Sequence, residues 1–458
     1  MNVAIIGGGW AGCAAAVALA RAGHRPALYE AAPALGGRAR CVVRDGLPLD
    51  NGEHLLLGAY TETLALAAGV RDAGEASAFT IAPLALRPFG ERATQRLSFV
   101  ARQAPGPLGL LAGLAGAEGL GALDRARLAA WFVAQKRAGW RCDRRTTVAE
   151  LLSTQPPRLR DELWYPLCVA ALNTPAPRAS AEIFLNVLRE TFGAGAHATT
   201  LVTPRAGLAE AIPDACARWL AAQGHALQTR ARVRIVAAHA DAVRLELAGT
   251  QHRADAVIVA VGPHQLAAAF APEFARTEPA VQRALECVAG FEYQPITTLY
   301  LGFDAPLPLG RALLRLEHRP GQWIFDRSDV LRRAAAVPPG VRALASVVIS
   351  ASGEFAALDH ATLADCVDAQ LRTLEPSLPK RVYSQVIAER RATYAALPDL
   401  ARPDAGRLAA RVYLAGDYTY GDFPATLEAA VRSGRLAAEA VSRDFAATAA
   451  ARGSTRAP

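Results

Sequence analysis

Residues 3–38 read VAIIGGGWAGCAAAVALARAGHRPALYEAAPALGGR, and this stretch decides the fold. Residues 3–6 form a short, wholly apolar run of the kind that makes a buried parallel strand. Gly7, Gly9 and Gly12 follow in GxGxxG spacing. In that pattern the first glycine permits the turn out of the strand, the second lets the main chain approach a pyrophosphate, and the third lets a helix lie close to the sheet. The helix is expected over 13–22, ended by Gly23, with its N-terminal amides and dipole favouring a diphosphate. A second strand over 25–29 runs to Glu30, eighteen residues beyond Gly12, where a carboxylate can accept hydrogen bonds from an adenosine ribose. Strand, glycines, helix and acidic end agree on a dinucleotide-binding unit. No basic n-region precedes the apolar run and glycines interrupt it at once, so it does not read as a signal peptide.

Pieces of the same domain recur later in the chain. Residues 232–236 and 243–247 read as a hairpin, and 254–261 (ADAVIVAV) as another buried strand closed by Gly262-Pro263. Further on come a strand over 412–415, a turn at Gly416-Asp417 and a helix over 425–441. The fold class predicted is α/β: a Rossmann-type nucleotide-binding domain in three discontinuous segments, 1–75, 205–285 and 385–445, with an inserted mixed α+β substrate domain. The insertions are 76–204, mainly helical with helices over 125–137 and 181–191, and 286–384, with strands over 296–303 and 343–350 and a helix over 360–374. Residues 446–458 read as a disordered tail.

Bulk properties narrow the partners. The chain has 458 residues, 52% hydrophobic and 20% charged, which describes an ordered protein with a large core. Its net charge of +8 is almost wholly arginine, since Lys136 and Lys380 are the only lysines. Without a clustered basic run or a nucleic-acid motif, nucleic acid is not an expected partner, and weak attraction to anionic membrane surfaces is favoured. The seven cysteines are odd in number, scattered and without CxxC pairing, which indicates a reducing compartment and no metal site. No apolar run reaches the length that spans a bilayer. The nearest, 105–123 (PGPLGLLAGLAGAEGLGAL), reads either as a helical lid or as an apolar surface that dips into one leaflet to collect a lipid-soluble substrate. The localisation expected is cytoplasmic, peripheral on the inner face of the membrane.

The order GxGxxG, Glu30, Leu35-Gly36-Gly37-Arg38 resembles the FAD-binding start of the flavin amine oxidase and carotenoid desaturase superfamily. The segment 413–441, YLAGDYTYGDFPATLEAAVRSGRLAAEAV, is similar to that superfamily's flavin-contacting end. Within it, LDNGEHLLLGAY (49–60), LCVAALNTP (167–175), FLNVLRET (184–191) and FPATLEAAVRSG (423–434) resemble the squalene-associated branch, the hydroxysqualene dehydroxylases. The resemblance implies noncovalent FAD. At matching positions Gly7, Gly9 and Gly12 would cradle its diphosphate, Glu30 its adenosine ribose, and Arg38, after Gly37, would cap the phosphates or ribose. Val233 would pack by the adenine. Asp417, after Gly416, would bind the ribityl chain and diphosphate end, and the backbone at Thr426 and Leu427 would face the pyrimidine ring. Gly52, Glu53 and His54 would lie at the flavin edge.

The activity implied is reductive dehydroxylation of hydroxysqualene to squalene in hopanoid synthesis, with a lipid-soluble isoprenoid substrate and an unidentified electron donor. Glu53, His54 and Asp422 are the acid candidates, because they flank the expected flavin site. Flavin amine oxidases carry a tyrosine where Thr426 stands, commonly a lysine on the strand matching 294–300, and in some a flavin-linking cysteine, which residues 390–398 lack. Amine oxidation is therefore not expected. A carotenoid (phytoene-type) desaturase stays open as a rival, as does a non-catalytic prenyl-binding carrier like the GDP-dissociation inhibitors, against which Glu30, Gly36-Gly37-Arg38 and Gly416-Asp417 argue. Protoporphyrinogen oxidation stands further off. Acid precipitation of the yellow protein should release the colour to the supernatant; a yellow pellet would show a covalent link.

Overall fold

The structure is a computed structural model that describes all residues except 73, 91–96, 102–111, 114–115, 310–312, 318 and 455–458. Residues 105–111 and 114–115 of the apolar segment 105–123 therefore lie outside the described residues.

The strand Asn2–Ile6 lies at the centre of a six-stranded sheet, between Arg25–Tyr29 and Ala256–Val259. Ala226–Gln228 extends one side and Val412–Leu414 the other, all parallel, and the antiparallel strand Gly406–Ala409 closes the edge. Successive side chains on the central strand point to opposite faces, so both faces must be apolar. Val3 and Ile5 join a core with the helices Trp10–Arg21, Pro213–Ala222 and the last helix. Ala4 and Ile6 join a second core with the antiparallel strands Val233–Ala238, Val243–Leu247 and the helix Pro279–Ala289.

A second sheet of five antiparallel strands runs Leu313–Arg315, Trp323–Asp326, Ala343–Ser350, Tyr293–Phe303, Arg381–Tyr394. The helix His360–Leu374, capped where the Asp359 side chain accepts from the Thr362 amide at 2.9 Å, buries Leu363, Val367 and Leu371 against it. A helical layer over 122–193 packs around Trp131, Trp164 and Phe184. Asn173 ends one of its helices in the left-handed conformation. From there its side chain donates to the Gln294 carbonyl and the Thr393 hydroxyl and accepts from the Ala351 amide, tying the helical layer to the second sheet.

Three expectations need correction. The boundary at 384/385 cuts through Arg381–Tyr394, a continuous strand that pairs along its length with Tyr293–Phe303 and so belongs to the second sheet. The stretch 76–204, expected mainly helical, also begins and ends in strands, Phe79–Pro83 and Thr200–Pro204, and the second pairs with the first and with Leu56–Leu57; β-branched Thr80, Ile81, Val202 and Thr203 favour this. The tail placed from 446 is helical as far as Ser454, because the alanine-rich run simply continues the last helix, Leu427–Ser454.

Gly434 of that helix lies against the first helix, and a Cβ there would fall 2.0 Å from the Ala11 carbonyl oxygen. In an open helix, Gly→Ala gains about 1 kcal/mol. Here overpacking, about 1–3 kcal/mol, opposes that gain. Gly434→Ala is expected to lower the melting temperature, and Gly434→Val to lower it further; a rise in the alanine variant would mean the two helices can part without cost.

Candidate active site

Two helix N-termini open on one cleft of about 710 Å³. The first helix begins at Trp10 with no side chain capping it, which leaves its N-terminal amides for a ligand. Gly7 and Gly9 line the cleft beside it. Gly12 is buried, and a Cβ there would sit 1.9 Å from the Gly7 carbonyl oxygen. At Gly9 a Cβ would meet no atom within 4 Å, so the main chain there is bare to the cleft, as close approach of a diphosphate requires. Glu30 is held by its own backbone surroundings: its two carboxylate oxygens accept from the Gly8 amide at 2.6 Å and the Ala32 amide at 2.7 Å, and each oxygen has a further lone pair for a ribose hydroxyl.

At the other end, Ala425 takes a φ of +61°, a conformation that costs a residue with a Cβ about 1–3 kcal/mol. That turn starts the last helix at Leu427 and sets Thr426 and Leu427 in the cleft wall. The Thr426 hydroxyl donates to the Phe423 carbonyl and accepts from the Ala429 amide, so it caps the helix. Gly37, Gly52, Val233 and Gly416 also line the cleft. Arg38 and Asp417, 379 residues apart, form an ion pair at 2.7 Å, and Arg38 also donates to the Ala392 carbonyl. The residues therefore fit FAD: a bare glycine and helix terminus for the diphosphate, a fixed carboxylate at one end, and a helix dipole at the other.

The acid candidates separate. Asp422 lines neither this cleft nor its neighbour; its side chain is half exposed, 3.7 Å from Arg189, while its carbonyl accepts from Asn186. The turn after Tyr420 thus sends the carboxylate to solvent, which corrects its placement beside the flavin. His54 lines the cleft with Nδ1 2.8 Å from the Gly52 carbonyl, and burial holds its pKa below the ordinary histidine value, so the imidazole is neutral near pH 7. Glu53 lines the cleft too, but Arg327 holds one oxygen at 3.2 Å and the Ser346 hydroxyl donates to the other at 3.0 Å.

Arg327 also lies 3.4 Å from Asp50, whose other oxygen accepts from the Leu208 amide, and Tyr300 donates to the Asp50 carbonyl. Sequence reasoning passed over Asp50, Arg327 and Ser346; Asp50 stands inside the phrase LDNGEH, but Arg327 comes from the second insertion and carried no local signal. Two carboxylates share one guanidinium in a buried space. Burial, and then the Glu53 charge, push the Asp50 pKa up to about 7.

A second, smaller cavity of about 200 Å³ adjoins the cleft. Its wall is almost wholly hydrocarbon and aromatic, including Leu57, Leu86, Phe99, Phe132, Trp164 and Phe184.

A family model described as flavin containing amine oxidoreductase matches residues 10–442. The chain is 29% identical to a hydroxysqualene dehydroxylase of Rhodopseudomonas palustris, covering 96% of this chain and 98% of the relative. It is 28% identical to another, of Zymomonas mobilis, over 95% and 97%. A probable zeta-carotene desaturase of Synechococcus elongatus is 27% identical over 96% and 98%. Among solved structures, an oxidoreductase from Methanosarcina mazei superposes with a TM-score of 0.70 at 18% identity, over 95% of this chain and 99% of that one, and this shows the shared fold.

The raised Asp50 pKa has a defined sign. The native state keeps a proton that the unfolded chain releases at its ordinary value of 3.8, so stability is expected to fall as pH rises from about 4 to about 7 and to level off above. Asp50→Asn should flatten that slope in pH-dependent melting curves; an unchanged slope would show that Asp50 ionises normally.

Proposed function

This chain belongs to the flavin-containing amine oxidoreductase family and is an FAD-dependent oxidoreductase, and from that premise we propose that it removes the hydroxyl of hydroxysqualene to give squalene, a step of hopanoid synthesis. The observation that carries the reading is the apolar cavity opening on the flavin cleft. A C30 allylic alcohol has almost no polar handle. Its binding has to come from burial, at about 25 cal/mol per Å² taken from water. The largely hydrocarbon and aromatic wall suits that need, and its two carboxylates are already engaged, Glu428 by the Glu62 and Thr63 amides and Arg432, and Glu190 by Arg189.

Reduced FAD supplies a hydride to the carbon that loses its hydroxyl. The chain's own residues do the rest. Gly9, the first helix and Glu30 would hold the adenosine diphosphate half, with the Arg38–Asp417 pair in the same cleft. The start of the last helix lines the cleft, and its positive end would favour negative charge on a reduced flavin held there. The aromatic faces of the smaller cavity stabilise positive charge on the carbon that the hydroxyl leaves, and the close wall excludes water that would return the alcohol.

An external electron donor and peripheral contact with the membrane, from which the lipid would enter, belong to the same proposal. No helix among the described residues is long and apolar enough to cross a membrane. The desaturase alternative uses the same cavity in the opposite redox direction and is supported by the carotenoid-desaturase relative.

Dithionite-reduced protein incubated anaerobically with hydroxysqualene should yield squalene while the flavin reoxidises. Desaturation of a phytoene-type chain by oxidised protein, with no squalene from the reduced form, would favour the desaturase. Protein purified without flavin absorbance would favour a carrier.

A further inference from the structure

The two cavities meet at Leu55, Tyr60, Ala170, Ala171, Trp323 and Thr426, which line both. A lipid lying in the smaller cavity and reaching for the cleft must place its reacting carbon there. Three of the six carry a polar side-chain atom. The Thr426 hydroxyl is already spent on the Phe423 carbonyl and the Ala429 amide. Trp323 offers an indole N–H, a donor that does not give up its proton. The Tyr60 hydroxyl has no hydrogen-bond partner among the described residues.

Tyr60 is nevertheless firmly placed. Its amide donates to the Leu57 carbonyl at 2.9 Å, and its carbonyl accepts the Leu64 amide at 3.0 Å as the helix Thr61–Gly69 begins. That helix is capped from the other side of the site. The buried Glu428 carboxylate, in the first turn of the last helix, accepts from the Glu62 amide at 3.1 Å and the Thr63 amide at 2.9 Å and pairs with Arg432 at 2.7 Å. One element thus fixes both the flavin-facing helix end and the backbone that carries the phenol.

Resting on the hydroxysqualene reading, we infer that the Tyr60 hydroxyl is the group that hydrogen-bonds the substrate's single hydroxyl and protonates it as it leaves. The carbon–oxygen bond breaks with its electron pair going to oxygen. The phenolic proton joins that oxygen to make water. The carbon receives a hydride, and hence two electrons, from the reduced flavin, and the phenolate takes a proton back from solvent. Glu53 and His54 line the larger cleft but not the smaller cavity, and Glu53 is already bound by Arg327 and Ser346. Burial, with the Glu428 charge second, holds the Tyr60 pKa above the ordinary phenol value, so the proton is present throughout neutral pH.

The test compares wild-type protein with Tyr60→Phe, both carrying FAD. In the oxidised state, where no turnover occurs, wild type should bind hydroxysqualene about three- to tenfold more tightly than squalene, and the variant should lose that preference. In anaerobic single turnover of the reduced protein, the variant should form squalene about 10²- to 10⁴-fold more slowly. Equal preference and equal rate in the two proteins would overturn the inference. If wild type itself forms no squalene, the reading of the reaction has failed, and the binding comparison judges Tyr60 alone: an undiminished preference for the alcohol in the variant overturns it. Should Tyr60→Phe come out without FAD, difluorotyrosine placed at position 60 keeps the shape and the O–H. Its lower phenol pKa should move the alkaline limb of the pH–rate profile downward, and an unmoved limb would overturn the inference.

Discussion

The approach of Gly434 to the Ala11 carbonyl governs where everything else in the cleft can stand. A side chain at 434 would force the last helix and the first to shift relative to one another. Because their amino ends share a cavity, two helix dipoles favour negative charge at two places in one elongated cleft. The rest follows from that placement. Asp417, just upstream of the last helix, meets Arg38, just downstream of the first helix and second strand. Glu428, one residue into the last helix, reaches across to cap the helix that follows Tyr60.

A second constraint is electrostatic. Asp50 and Glu53 come from the chain segment that skirts the flavin cleft, and Arg327 comes from the second sheet's side. Removing the guanidinium leaves two buried carboxylates without their shared partner, which is far costlier than the pairing is stabilising. This cluster therefore locks the inserted sheet to the nucleotide-binding part in one geometry. One guanidinium cannot neutralise two carboxylates, and the leftover charge adds to the larger effect of burial in raising the Asp50 pKa.

The legible part of the molecule was local. Residues 3–6 and 25–29 announced parallel strands, and Gly7, Gly9 and Gly12 announced the turn, because each is decided by its neighbours in sequence. Helix 360–374 and strand 343–350 were equally plain from periodicity and β-branched content. What depends on distant pairing was not legible. Nothing near Arg38 says that it will face Asp417, and nothing near Arg327 says that it will lie between Asp50 and Glu53. Asp422 failed as a site residue for the converse reason: proximity in sequence to Thr426 does not decide which side of a turn a carboxylate leaves from. Arg381–Tyr394 was divided at 384 because a strand boundary is set by its partner, here Tyr293–Phe303, and the partner is invisible locally.

The wall of the smaller cavity is apolar over most of its surface. Under the proposed reaction, substrate and product differ by one oxygen, so the wall grips both almost alike. Departure of the product then becomes the slow event, and the surrounding phase decides its speed: water offers the hydrocarbon nowhere to go, whereas a bilayer or an oil droplet is a sink. Steady-state throughput would in that case measure how well the product partitions into its surroundings before it measures any bond making or breaking inside the protein.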